Sequence, residues 1–355
     1  MGRKMVAKKL IHLIVAATLT SLSLATFGPF GSTAATAQTT PIQITVAPMT
    51  PSPVAWTPYF IAKPLGFYAA EGLDVDVIKN PPRGSQTSML LTGKIAFAGI
   101  SSVTNMPQNA TLGKLKWFMG HEMFPFKIMV LDSSPIKSVK ELRGKTIGMR
   151  SVNDEPAAKL MLAGGGVKPS EFKTLVVGAG VPGGAALQRA SADAIMGTVV
   201  DQIEIGASGI KLREIDLDNA AGLYNGGLMA TTDELAKNKD IAIRFGRAVA
   251  KAYIWTYENP DAALDLLAKV VPEAVQDRAV IKRLLLALND SNRARYEARF
   301  RADPAVYQRQ IDLEAEIGVI DRSFPASDVF TNDLLDQIWN FDVEAVKQEA
   351  RSGKY

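Results

Sequence analysis

Apolar and polar positions near the start of the chain alternate in a pattern that predicts a parallel α/β sheet. Residues 42–47 form an apolar-rich stretch typical of a strand, and residues 73–78 alternate apolar side chains with two aspartates. Between them, residues 59–68 place apolar side chains at helical spacing. Strand, helix and strand in this order predict neighbouring parallel strands. Ligands of such sheets bind beyond the carboxyl ends of the strands, which here is the loop of residues 48–58.

The alternation of strands and helices continues along the chain and predicts two lobes. Residues 126–131 are a predicted strand leaving the first lobe, and residues 224–231 are a predicted strand returning to it. We therefore predict a first lobe of residues 38–131 plus 222–355 and a second lobe of residues 132–221. Two crossings imply a double-stranded hinge, with a ligand cleft between the lobes. Further predicted strands are residues 94–98, 115–119, 145–149, 175–177 and 194–199.

The first 37 residues predict export. A basic start is followed by an apolar run at residues 10–27 and by small residues at Ala35 and Ala37. This order is typical of a signal peptide cleaved near Ala37, which predicts a periplasmic protein. An uncleaved membrane anchor is the alternative, because the run approaches the length that spans a bilayer.

Charge and cysteine content limit the classes of partner and of chemistry that can be expected. The leader holds four lysines and arginines and no acidic residue, a charge of +4. This equals the formal net charge of the whole chain, so the residues after the leader are formally neutral. Neutrality gives no support for a nucleic-acid partner. Cysteine is absent and one histidine follows the leader, so neither a thiol nucleophile nor a metal or cofactor site is expected.

Three spaced segments carry a family resemblance: residues 62–77 (AKPLGFYAAEGLDVDV), 84–99 (GSQTSMLLTGKIAFAG) and 134–148 (SPIKSVKELRGKTIG). They resemble the solute-binding proteins of nitrate, sulfonate, taurine and thiamine-precursor ABC importers. The resemblance implies a type II periplasmic binding-protein fold with two Rossmann-like lobes. It also implies a small-molecule ligand held between the lobes and a permease partner in the inner membrane. We expect a monomer.

Candidate ligand contacts in the first lobe follow the first two predicted strands. Trp56 is either an aromatic wall of the pocket or a loop anchor packed on its own lobe. Tyr59 has the same alternatives, with core packing a strong competitor. Ser85 and Gln86 begin a helix, whose free N–H groups can face a ligand, although Ser85 has the alternative of capping its own helix.

Three more candidates in this lobe follow later strands. Ser101 and Ser102 come after the strand that ends at Gly99, and they can donate hydrogen bonds into the cleft. His121 follows the strand of residues 115–119, either in the pocket or as an ordinary histidine.

The second lobe contributes five candidates. Arg150, Asn153 and Asp154 lie between a strand and a helix start, where Asp154 is either a cleft acid or a cap. Gly180 belongs to a glycine-rich loop that the resemblance places beside the ligand, although a tight turn explains it as well. Asp201 ends a strand and is either a cleft residue or a helix cap.

The ligand is left open by these residues. Trp56-Thr57-Pro58 lacks the Asn and His that follow it in thiamine-pyrimidine binders, and Asp154-Glu155 disfavours nitrate and sulfonate. The rivals are an enzyme of pyrimidine or menaquinone precursor synthesis on the same scaffold, and a periplasmic sensor domain. The pyrimidine-making relatives carry a cysteine-rich motif that this chain lacks.

Overall fold

Two five-stranded sheets form the framework. The structure, a computed structural model, describes residues 42–47, 53–79, 81, 85–101, 112–123, 126–216 and 223–355. Each sheet combines parallel strands with antiparallel ones, and helices cover the strands.

The first sheet consists of β1 (Ile42–Ala47), β2 (Leu73–Val77), β3 (Phe97–Ser101), β4 (Leu115–Met123) and β10 (Tyr224–Thr231). Its strand order is β2–β1–β3–β10–β4. β1 pairs in parallel with β2 and β3, whereas β10 is antiparallel to both β3 and β4. The carboxyl ends of β1 to β4 therefore share one edge with the start of β10.

The second sheet consists of β5 (Phe126–Leu131), β6 (Thr146–Met149), β7 (Lys173–Val176), β8 (Ala194–Thr198) and β9 (Leu212–Ile215). Its strand order is β7–β6–β8–β5–β9. β6 is parallel to β7 and β8, and β5 is antiparallel to β8 and β9. The carboxyl ends of β6, β7 and β8 thus share an edge with the start of β5.

This arrangement confirms the predicted fold class and corrects one strand. The prediction placed β5 in the first lobe, whereas β5 hydrogen-bonds to β8 and β9 of the second sheet. The chain therefore crosses between the sheets before Phe126 and not near Leu131. β9 was not predicted, because a short strand with two charged residues has weak apolar alternation. The exact lobe boundaries stay a prediction.

Helices fill the connections and most of the chain after β10. From Thr40 to Tyr355 the chain forms one compact unit. Within the described ranges, no helix is both long and apolar enough to cross a membrane. The α-helices are α1 (Thr57–Ile61), α2 (Phe67–Ala70), α3 (Gln86–Leu91), α4 (Glu155–Gly164), α5 (Val181–Gln188), α6 (Val199–Ala207), α7 (Thr232–Lys237), α8 (Lys239–Glu258), α9 (Pro260–Val270), α10 (Arg278–Ser291), α11 (Arg293–Glu297), α12 (Pro304–Glu316), α13 (Leu335–Ile338) and α14 (Val343–Ser352).

The core of the first lobe is built around α8. Its apolar face is buried, and Phe245 stacks on Tyr68 at 5.6 Å and on Phe97 at 4.9 Å between ring centroids. Stacked aromatic rings add about 0.5–1.5 kcal/mol each beyond the area that they bury. This cluster fixes α2, β3 and α8 against one another.

Two helices of the C-terminal half reach the other lobe. On α12, Ile311 packs in the first-lobe cluster around β10, while Leu313 and Ile317 pack against the second-lobe core. On the other side α10 contacts α6, and Val200 and Ile203 of α6 pack against the first-lobe core. The lobes are therefore joined by packed helices as well as by the two chain crossings.

Candidate functional site

The carboxyl edge of the second sheet brings four of the predicted residues together. Arg150 follows β6, and its guanidinium donates two hydrogen bonds to Asp154, from Nε at 3.0 Å and from Nη2 at 2.9 Å. The same guanidinium lies over the Phe126 ring, 4.9 Å from its centroid. A bidentate pair of this kind is rigid as well as strong. Asp154 is buried, and both of its oxygens are occupied by the arginine.

Asp201 joins the end of β8 to the glycine-rich loop. Its Oδ2 accepts hydrogen bonds from the Thr198 amide at 2.6 Å and the Thr198 hydroxyl at 2.8 Å, completing a capping box at the start of α6. Its Oδ1 accepts from the Gly180 amide at 2.9 Å. Arg150 Nη1 lies 3.9 Å from Asp201 Oδ2. The buried Asp201 thus connects the end of β8 to the glycine-rich loop, and both of its oxygens already accept hydrogen bonds.

Gly180 has a conformation and an environment that only glycine fits. Its φ of +60° and ψ of −133° are disfavoured for residues with a side chain. A Cβ at this position would lie 2.1 Å from Glu204 Oε2. The tight-turn interpretation of this loop is therefore well founded, and the turn also lets the Glu204 carboxylate approach the backbone.

Glu204 lies beside these residues, although it was not among the predicted contacts. It lies on α6, three residues after Asp201, and its side chain is exposed. Although the residue as a whole is exposed, its carboxyl group is partly shielded from water, and this burial together with the nearby Asp201 charge raises the pKa of the carboxyl above its usual value. The available signal was its helical spacing from Asp201, which places both acids on one side of α6.

Two of the three residues between Arg150 and Asp154 face outward. Asn153 is exposed, and Val152 is 68% exposed. The Ser151 hydroxyl oxygen is inaccessible to solvent and has no hydrogen-bond partner among the described residues. These side chains flank the arginine at the same sheet edge.

Trp56 and Tyr59 lie in the core of the first lobe. They are 3% and 1% exposed, and their rings meet edge-to-face at 5.3 Å between centroids. Trp56 covers Gly99 so closely that a Cβ there would lie 2.0 Å from the indole ring. These contacts match the loop-anchor and core alternatives, and ligand contact by either residue stays a prediction.

The other first-lobe candidates lie at the start of α3 and along β3 and β4. Gln86 is buried, and the Ser85 hydroxyl donates to the Met89 sulfur at 3.4 Å. Ser101 ends β3 and His121 lies in β4, at the expected edge of the first sheet. The side chains of Ser101 and His121 and the whole of Ser102 lie outside the described residues.

The arrangement can recognise a polar solute. It offers one guanidinium in a fixed orientation, carboxylates and exposed apolar side chains at a single edge. Within the described ranges, no group of three or more His, Cys, Asp or Glu side chains is placed to hold a metal.

The two five-stranded sheets, each with helices packed on its strands, have the fold of a periplasmic binding protein. Residues 54–263, more than half of the chain, match the family model described as NMT1/THI5 like. The chain belongs to this NMT1/THI5-like family.

Solved structures agree on the fold. A putative periplasmic sulfonate-binding protein SsuA from Methylobacillus flagellatus aligns with a TM-score of 0.64 at 16% identity, covering 84% of this chain and 94% of that one. The aliphatic sulphonate-binding protein SsuA from Escherichia coli aligns with a TM-score of 0.62 at 15% identity, covering 83% and 99%. At these identities the likeness concerns the fold alone.

Curated relatives have different named roles. The riboflavin-binding protein RibY of Chloroflexus aurantiacus is 24% identical over 337 residues, covering 92% of this chain and 95% of its own. A formylaminopyrimidine-binding protein of Halalkalibacterium halodurans is 24% identical over 228 residues, covering 61% and 66%. A 4-amino-5-hydroxymethyl-2-methylpyrimidine phosphate synthase of Legionella pneumophila is 21% identical over 239 residues, covering 61% and 70%.

Proposed function

We propose that this protein captures a small organic solute between its two lobes and delivers it, chemically unchanged, to the permease of an ABC importer. One observation carries the proposal. The polar side chains at the carboxyl edge of the second sheet hold one another in a fixed network: Arg150 engages Asp154, and Asp201 engages Thr198 and Gly180. A preorganised edge of this kind suits recognition, because binding then costs little ordering of side chains.

The absence of chemistry is part of the proposal. Asp154 and Asp201 are buried, and each has both oxygens hydrogen-bonded within the protein, so neither is well placed to take a proton from a solute. Two of the curated relatives are named as binding proteins, including the one that aligns over 95% of its length. The relative named as a synthase makes turnover the outcome to test against.

We propose a flat nitrogen heterocycle as the ligand. Two relatives are named for riboflavin and formylaminopyrimidine, both of which are of this kind. The acids Asp154, Asp201 and Glu204 at the second-lobe edge disfavour a small anion such as nitrate or sulfonate. Exposed Val152 and Val181 supply apolar surface at the same edge, which suits an aromatic ring.

The proposed function also requires export of the protein to the periplasm. Cleavage near Ala37 would release residues 38–355 into the periplasm, where a monomer would meet the permease in the inner membrane. Pulse-chase labelling of expressing cells should convert the full chain to a shorter one that begins after Ala37. Retention of the leader would indicate an anchored protein instead.

A ligand screen tests the binding function. Thermal unfolding is recorded with riboflavin, 4-amino-5-hydroxymethyl-2-methylpyrimidine and ethanesulfonate, and each hit is titrated by calorimetry. A solute at a hundredfold excess over its dissociation constant adds about 2.7 kcal/mol to the free energy of unfolding. Chromatography of the solute after release then separates the alternatives, since a binding protein returns it intact and an enzyme returns a product.

A further inference from the structure

The acidic side chains at the carboxyl edge of the second sheet, here called the second-lobe edge, differ in how readily they can accept a hydrogen bond from a solute. Asp154 uses both oxygens on the Arg150 guanidinium. Asp201 uses both oxygens on Thr198 and Gly180. Both side chains are also buried, so the acceptor sites that these hydrogen bonds leave over are poorly accessible to a solute.

Glu204 is in the opposite situation. Its side chain is exposed, and its carboxylate lies against the backbone of Gly180, with Oε2 2.1 Å from where a Cβ would be. Among the described residues, no hydrogen bond or ion pair engages this carboxylate. Its two oxygens can therefore accept hydrogen bonds from a molecule outside the protein.

The position of α6 directs this carboxylate toward the region between the lobes. α6 starts at the carboxyl end of β8, the edge where ligands of parallel sheets bind. Val200 and Ile203, on the same side of the helix as Glu204, pack against the first-lobe core. Glu204 thus stands beside the surfaces where the two lobes meet.

We propose that Glu204 determines specificity by accepting hydrogen bonds from N–H groups of the solute. The inference rests on the proposed function and deepens it, because it names the part of the ligand that is recognised. An imide or amino N–H of a nitrogen heterocycle meets a carboxylate acceptor, whereas a sulfonate or carboxylate meets a like charge. The carboxylate therefore selects uncharged or cationic donors over anions.

Matched pairs of solutes isolate the N–H group. The wild-type protein is titrated with riboflavin and 3-methylriboflavin, which lacks the imide N–H. It is also titrated with 4-amino-5-hydroxymethyl-2-methylpyrimidine and its 4-dimethylamino analogue. We expect the N–H form of the bound pair to bind about tenfold or more tightly than its methylated form, because a hydrogen bond to a charged acceptor is worth this much.

Variants assign the preference to one side chain. Glu204→Gln keeps the size and removes the charge, and it should lose most of the preference for the N–H form. Glu316→Gln, an exposed glutamate at the end of α12, makes the same change in net charge elsewhere and should retain the preference. Circular dichroism and melting temperature show that each variant folds as the wild type does.

The outcomes separate this inference from the proposed function. Preference for the N–H form in the wild type and its loss in Glu204→Gln support the inference. An unchanged preference in Glu204→Gln, no preference in the wild type, or tighter binding of ethanesulfonate than of either heterocycle overturns the role of Glu204 alone. Purification of the wild type from the periplasm with no bound solute of any kind overturns the proposed function itself.

Discussion

Glu314 is a buried glutamate that should make the stability of the protein depend on pH. It lies on α12, the helix that packs against both lobes, and it is fully buried. Its Oε1 accepts a hydrogen bond from Gln310 Nε2 at 3.2 Å, while its Oε2 has no partner among the described residues. Burial raises the pKa of the Glu314 carboxyl from 4.5 to about 8, and the Gln310 hydrogen bond offsets only part of this. The group is therefore neutral in the folded protein at pH 7.

The sign of the pH dependence follows from this raised pKa. The folded protein holds a proton on Glu314 that the unfolded chain releases above pH 4.5. The stabilisation linked to this proton is fully present below pH 4.5 and is lost as the pH rises toward about 8. Across this pH range the contribution of Glu314 to the free energy of unfolding changes by about 5 kcal/mol, since each tenfold change in proton affinity corresponds to about 1.4 kcal/mol. At pH 7 about 3 kcal/mol of it is already lost.

Glu314→Gln removes this dependence while keeping the shape of the side chain. Glutamine is neutral at every pH, so the variant should be about 2–3 kcal/mol more stable than the wild type at pH 7. At pH 4 the advantage should largely vanish, because glutamic acid is then mostly protonated in both states.

Urea unfolding at pH 4, 7 and 9, followed by tryptophan fluorescence, measures these differences. Glu316→Gln on the same helix is the matched control, because Glu316 is exposed and should leave the pH dependence unchanged. Parallel pH profiles for the wild type and Glu314→Gln would refute the reasoning, since they would show that Glu314 titrates normally in the folded protein.

Three further substitutions test the site and its support. Gly99→Ala adds a Cβ 2.0 Å from the Trp56 ring, so it should lower the free energy of unfolding by about 1–3 kcal/mol; an unchanged urea midpoint would contradict this packing. Gly180→Ala meets both a disfavoured backbone conformation and the Glu204 carboxylate, so calorimetry should show weaker solute binding; wild-type affinity would remove the turn from the site. Arg150→Lys loses the two-bond fork to Asp154 and should also weaken binding, and full affinity would show that the fork is dispensable.

Local patterns predicted the strands better than their partners. The apolar stretch at residues 126–131 identified β5 with its correct bounds, but it carried no sign of whether β5 pairs with the first or the second sheet. That choice depends on hydrogen bonds to β8 and β9, which lie more than 60 residues further along the chain. Long-range pairing of this kind is not encoded in the period of the sequence.

In the candidate site, too, local patterns predicted where residues lie but not which partners they contact. Strand ends correctly indicated where Arg150, Asp154, Gly180 and Asp201 would gather, because parallel strands present their carboxyl ends together. Which acid is engaged and which is free depends on side-chain contacts that no spacing reveals. The spacing therefore left Asp154 and Asp201 as either cleft residues or caps and did not single out Glu204, and ligand contact by Asp154 and Asp201 stays a prediction.

Trp56 illustrates a different limit. Its place in a loop after a strand predicted either a pocket wall or a loop anchor, and the indole lies on Gly99 of β3 and is almost fully buried, which matches the loop-anchor alternative. A bare glycine on a neighbouring strand creates the space for it, and such a complementary pair is visible only after the strands are assembled.

Native mass spectrometry of protein purified from the periplasm without refolding tests the central claim most directly. We expect a one-to-one complex with a small nitrogen heterocycle, whose mass is the same after hours of incubation and after release by denaturation. A protein that carries no solute, or a released compound whose mass shows chemical conversion, would contradict the account.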